Sequence, residues 1–345
     1  MREKQGRSSF SEEKEAKRLF LRFLCGALPL AFFLLAAVAA RAAELAFVID
    51  SGAAAISLVD VTTRQEIRRV PVLREPHHMA LTPDHRFLLI GDTVGNQLIF
   101  CDPISGEIVR RVAMPDPYQL QFSPDGKTLV VTELARNRVD IYDADSYHLR
   151  FRLALASLPS HINFSPDSKT AFVSVQQSNR LVAIALASGD VRWNVATEDT
   201  PAGVLWLNGR VLVAVMGGNG LAVVNPATGA IERRVMTGRG AHNLFLSPDG
   251  KTLYVTNRVD STIAVLDAKT LVVAREITLP GGPDDLDFAP DGKLWVTRRF
   301  AHSVAVLDPE SGKYAIIEVG RSPHGIWLNT HDHLPRAIAA RETQP

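Results

Sequence analysis

Five of the chain's ten histidines occupy two neighbouring positions of a repeat, and neutral imidazole is the commonest metal-binding side chain. Positions are counted back from a recurring Ser-Pro-Asp proline or its equivalent. Six places earlier stand His77, Tyr118, Ser160, Ala202, His242, Asp284 and His324. Five places earlier stand His78, Gln119, His161, Gly203, Asn243, Asp285 and Gly325. Histidines scattered over a surface would not select one repeat position. His78, His161, His242 and His324, beside Asp284 and Asp285, are therefore candidate ligands for a transition metal or haem. With His77 and Tyr118 they are also candidates to hold an anionic ligand. The competing reading is a hydrated polar channel, which needs no ligand. No pair has the helix spacing of HExxH, and there is no CxxC or CxxCH.

A second group is cationic. Arg136, Arg138, Arg180, Arg258, Arg298 and Arg299 fall in corresponding loops of the repeat. Of these, Arg138, Arg180, Arg258 and Arg299 could hold a carboxylate or phosphate bidentately; solvated loop arginines are the alternative. Glu133, Asp260 and the Asp284-Asp285 pair would neutralise part of that charge. His331 and His333 form a His-x-His in the tail, away from the other histidines by strand direction. GxSxG, P-loop and GxGxxG patterns are absent, so no nucleophile or nucleotide motif argues for an enzyme, and no catalytic residue is assigned.

The elements that must position these residues recur along the chain. Ser247 to Asp267, SPDGKTLYVTNRVDSTIAVLD, reads as turn, strand, loop and strand. Pro248 sets the start of a tight turn, and Gly250 allows the positive φ that closes it. The β-branched and aromatic run after it is a strand. Equivalent positions are Pro83, Pro124, Pro166, Asn208, Pro248, Pro290 and Thr330, spaced by 41, 42, 42, 40, 42 and 40 residues. A second marker, an acid or amide ending the third strand, falls at Asp60, Asp102, Asp143, Asn225, Asp267 and Asp308, with Leu186 once in its place. Two markers sharing a period of about 40–45 residues, with four strands per unit, predict an all-β fold, a β-propeller.

The strands are labelled A to D within each unit. Leu45 to Asp50 is a strand B with no strand A before it, and Gly325 to Asn329 is a strand A with no strand B after it. Together they complete a seventh blade, shared by residues 44–73 and 322–331, which closes the ring and removes its exposed edge. Antiparallel alternation puts the D–A and B–C loops on one face and the repetitive turns on the other. The histidine positions open strand A, so they ring the channel mouth on the D–A/B–C face, where exposed side chains are expected.

Tyr254-Val255-Thr256-Asn257, with VVTE at 130–133 and WVTR at 295–298, makes the chain resemble the YVTN-family β-propeller repeat proteins over residues 45–330. The resemblance implies the fold and a mostly binding or structural role. It departs at Leu207-Asn208-Gly209-Arg210 and at Ala185-Leu186-Ala187-Ser188, which replace the usual turns. The leading expectation is a monomeric, non-enzymatic propeller binding a small-molecule ligand or protein partner on its D–A/B–C face. One alternative is a metal- or haem-handling propeller similar to the cytochrome d1-type domain, whose eight blades differ from the seven counted here. Another is a lactonase-like hydrolase using His and Asp or Glu at the channel mouth.

Residues 1–43 read as a signal peptide. Seven Lys and Arg precede residue 23, Phe23 to Ala40 is apolar, and Ala40-Arg41-Ala42 is an A-x-A site. The expected location is periplasmic or extracellular, with membrane attachment only through an uncleaved leader. The leader holds 8 of the 38 Lys and Arg and 4 of the 37 Asp and Glu, which leaves 30 and 33, or −3, for residues 44–345. That balance is no nucleic-acid footprint. Cys101 is the one cysteine after the leader, so no disulfide forms within the mature chain, and it reads as a small buried strand residue. Residues 44–333 fill one propeller domain, followed by a tail at 334–345.

Overall fold

The computed structural model describes residues 44–330. The leader, His331, His333 and the tail lie outside the described residues. Within them, 28 strands, numbered β1 to β28 in chain order, form seven four-stranded antiparallel sheets. The strand-A positions are β4 (Pro76–Leu81), β8 (Pro117–Phe122), β12 (Pro159–Phe164), β16 (Pro201–Leu207), β20 (Ala241–Leu246), β24 (Pro283–Phe288) and β28 (Pro323–Leu328). Each begins or ends its sheet's strand order. This is the seven-bladed β-propeller that the repeat count predicts.

The ring closes as expected. β1 (Leu45–Asp50) pairs antiparallel with β28, with Ala46 opposite Leu328, Phe47 opposite Trp327 and Val48 opposite Ile326. Both chain ends of the domain thereby enter one sheet, and a free edge is avoided. Among the described residues no helix is long and apolar enough to cross a membrane.

Strand periodicity explains the core. Each blade's apolar face packs on its neighbour, so the buried clusters lie between sheets. Tyr254, Ile263 and Val265 of one blade, for example, meet Leu286, Val296 and Ala305 of the next. The repeated turn also has a local cause. Ser247 Oγ donates to Asp249 Oδ1 at 2.6 Å, Thr252 N donates back to Ser247 Oγ at 2.9 Å, and Gly250 adopts φ +71°. Cys101 is buried, as expected, and burial pushes its thiol up to about 12.

Candidate functional site

The strand-A openings carry a backbone irregularity that builds the site. In all seven blades the register between strands A and B shifts there, as between Pro76 and Met79, Pro117 and Gln119, and Pro283 and Leu286. A bulge breaks the period-two alternation and re-aims side chains. Two consecutive residues, such as His77 and His78, can therefore both face the same cluster. The sequence does carry a signal for this. Six of the seven strand-A openings begin with proline, which has no N–H for the ladder.

Neighbouring blades are then stitched at these positions. Thr132 Oγ1 donates to Ser160 O at 2.7 Å, Thr256 Oγ1 to Asp284 O at 2.9 Å and Thr297 Oγ1 to His324 O at 2.7 Å. These are the threonines of the VVTE, YVTN and WVTR tetrapeptides. Each fixes the backbone of a ring residue in the next blade.

The result is one aromatic cluster. His77 packs on Tyr118 with ring centroids 4.0 Å apart and on His324 at 4.1 Å. His78 lies 4.7 Å from His324 and 5.3 Å from His161, and His161 lies 5.3 Å from His242. All five histidines and Tyr118 are buried, His324 at 0% and His161 and His242 at 1% exposure. This corrects the expectation of exposed channel-mouth side chains: the bulges turn them onto one another. Ligating nitrogens of His77, His78 and His324 lie within 4.8 Å of one another, with His324 Nε2 3.4 Å from His78 Nε2. Two imidazole nitrogens on one tetrahedral ion, at about 2.0–2.1 Å each, stand roughly 3.3–3.4 Å apart.

Asp284 anchors the cluster. His324 Nδ1 stands 2.6 Å from Asp284 Oδ2, and Arg299 Nη1 donates to the same oxygen at 3.2 Å. Arg258 pairs with Oδ1 through Nε and an Nη. His242 Nδ1 comes within 3.0 Å of Oδ1. Burial alone would raise the Asp284 pKa. Arg258, His324 and His242 outweigh it and hold this carboxyl well below the usual range. An ionised Asp284 only accepts, so His324 donates from Nδ1, and in the neutral ring the Nε2 lone pair faces His78.

Asp285, one residue on, meets different neighbours. It accepts from Asn243 Nδ2 at 2.8 Å, and burial raises its pKa. Burial, reinforced by the neighbouring imidazoles, holds His77, His78 and His161 well below 6.5, and burial with Arg258 pushes His242 down to about 3. These rings are neutral, the form that binds metal. His161 Nε2 and His77 Nδ1 are buried without a hydrogen-bond partner. Burial pushes the Tyr118 phenol up to about 12.

The structure thus brings together His77, His78, Tyr118, His161, His242, His324, Asp284, Asp285, Arg258 and Arg299. It holds the other two predicted arginines within their own blades: Arg138 pairs with Glu133, and Arg180 donates to the Asn194 side chain and, at 2.6 Å, to its carbonyl. The stitching threonines were missed because strand propensity alone accounts for a threonine there.

Among solved structures the chain is similar to a functionally unknown protein from Desulfotomaculum acetoxidans, at 15% identity and TM-score 0.72, covering 83% of this chain and 98% of that one. It is similar to the periplasmic gluconolactonase PpgL of Pseudomonas aeruginosa, at 18% identity and TM-score 0.67 with the same coverages. It also resembles the dihydro-heme d1 dehydrogenase NirN, at 16% identity and TM-score 0.62, covering 82% of this chain and 74% of that one. At such identities the likeness is one of fold. No curated protein matches the chain. A family model matches residues 20–336, nearly the whole chain, and the protein belongs to the YNCE-like beta-propeller family.

Proposed function

We propose that the protein is an exported binding propeller whose D–A/B–C face seats a divalent transition-metal ion through His77, His78 and His324. The observation that carries this reading is the 3.4 Å approach of His324 Nε2 to His78 Nε2, with Asp284 behind His324 Nδ1. A carboxylate behind a ligating imidazole fixes its tautomer and raises its basicity. Three imidazoles suit zinc, copper or nickel better than calcium or magnesium. His161 and His242, next in the cluster, are reserve ligands. A haem macrocycle fits this packing poorly, because His77 is already packed between Tyr118 and the edge-on ring of His324. The hydrolase reading gains nothing from the gluconolactonase likeness, which is one of fold.

The test is metal content by elemental analysis and Zn(II) titration against a competing chelator, for wild type and the His78→Ala/His324→Ala double variant. About one equivalent in the wild type and a large loss in the variant are expected. Equal contents, or near-zero metal in both, would overturn the reading. The depressed pKa values of His77 and His78 also set the pH arm: these two ligands stay neutral at pH 6, so loss of metal through them should come only in more acidic solution. A visible absorption band lost in the variant without any loss of copper or nickel would instead indicate haem.

A further inference from the structure

We infer that the cleft beside the histidine cluster binds a small oxyanion, a carboxylate or phosphate group, between Arg299 and Arg74. This goes beyond the metal reading and does not depend on it. The cleft holds about 360 Å³, in the range of small-ligand sites. Its walls come from loops of the same face. Ser51 and Gly52 come from the short 3-10 turn after β1, Arg74 and Glu75 from the loop before β4, Arg299 from the loop after β25 (Leu294–Arg298), and Ser322 from the residue before β28.

The walls are fixed in advance. Buried Asp92 accepts from the backbone N–H of Leu73, Arg74 and Glu75 at 3.0, 3.2 and 2.9 Å, which sets the loop carrying Arg74. Ser51 Oγ donates to Pro76 O at 2.7 Å, tying the turn to the strand that carries His77 and His78. Arg299 is held by its backbone N on Gly282 O at 3.0 Å and by Nη1 on Asp284. A site ordered before its ligand arrives loses less entropy on binding.

The charge is of the right sign. Asp284 is one carboxylate shared by two guanidiniums, Arg258 and Arg299, so the pair is not fully neutralised. Arg299 uses one of its five N–H groups on Asp284, and the residue also lines the cleft. Arg74 is a second, exposed arginine of the lining, and Glu75 is its acidic residue. Two arginines lining a cleft of this size suit the planar or tetrahedral oxygens of a carboxylate or phosphate. A divalent ion among the histidines would add to the same field.

The test is calorimetric titration of the purified protein, stripped with chelator and separately loaded with Zn(II), using inorganic phosphate and malonate at low ionic strength. Saturable binding of at least one of the two anions is expected in the stripped protein. Arg74→Gln should weaken it by about tenfold, as the loss of a charge-assisted contact does, and Glu75→Gln should strengthen it. Neither variant touches the cluster, so metal content measured in the same samples should match wild type. Failure of the metal reading would show there and leave the anion isotherm intact. No saturable binding by the wild type, or wild-type affinity in both variants, overturns the inference.

Discussion

Asp284→Asn tests the centre of the site, because one carboxylate there receives side chains from three other strands or loops. The substitution keeps the shape and removes the charge. Arg258 and Arg299 then lose their shared counter-ion, and an amide N–H would be aimed at one of them. Removing one partner of a buried ion pair costs about 3–5 kcal/mol. Arg258 and Arg299 keep 18% and 21% of their side chains in solvent, so the figure falls to about 2–3 kcal/mol. His324 also loses the acceptor of its Nδ1–H, for roughly 0.5–1.5 kcal/mol more. A total near 3 kcal/mol lowers Tm by about 5 °C in a domain of this size. Metal affinity should fall 10–100-fold as well, roughly what loss of an orienting carboxylate causes. Asp285→Asn is the control. Asp285 faces Asn243 and has no guanidinium on it, so its loss should move stability by less than about 1 kcal/mol. Thermal and denaturant melts of both variants, with a chelator competition, decide the matter. If Asp284→Asn melts within 1–2 °C of wild type and binds metal equally, the anchoring role of Asp284 is wrong.

Two further outcomes are expected. Ser57 Oγ lies 2.5 Å from both Asp50 Oδ2 and Glu66 Oε1, one hydroxyl proton between two carboxyls, and burial raises Asp50 to about 6. A raised pKa means that the fold binds this proton more tightly than the unfolded chain, so its contribution is present below about pH 4 and lost as pH rises to about 6. Asp50→Asn should therefore stabilise the protein by about 1–2 kcal/mol at pH 8 and leave it unchanged at pH 4; denaturant melts that show no gain at pH 8 would refute this. The leader composition predicts a mature N-terminus near Ala43 or Glu44, and N-terminal sequencing that finds Met1 retained in the membrane fraction would refute cleavage.

The fold was legible because its causes are local and repeated. Pro248, Gly250 and the acid at Asp267 each satisfy their own turn, and a local cause repeated at a fixed period counts the blades. The ring of histidines was legible for the same reason, as a repeat position. Its burial was not, because alternation along a single strand leaves every second side chain outside the cluster. The bulge that aims His77 and His78 together belongs to a pair of strands. Its trace in the sequence is the strand-opening proline, and it gains meaning only once the partner strand is placed.

Asp284 and Asp285 show the same limit most sharply. In the sequence they are two identical letters side by side, and nothing local separates them. In the fold one meets Arg258, 26 residues earlier, and His324, 40 residues later, while the other meets Asn243, 42 residues earlier. Burial pushes both carboxyls towards the protonated form. The guanidiniums and imidazoles win at Asp284 and do not at Asp285, so adjacent carboxyls shift in opposite directions. The cluster therefore rests on contacts between blades. A single blade cannot form it, and it exists only where the ring brings the openings of β4, β20, β24 and β28 together.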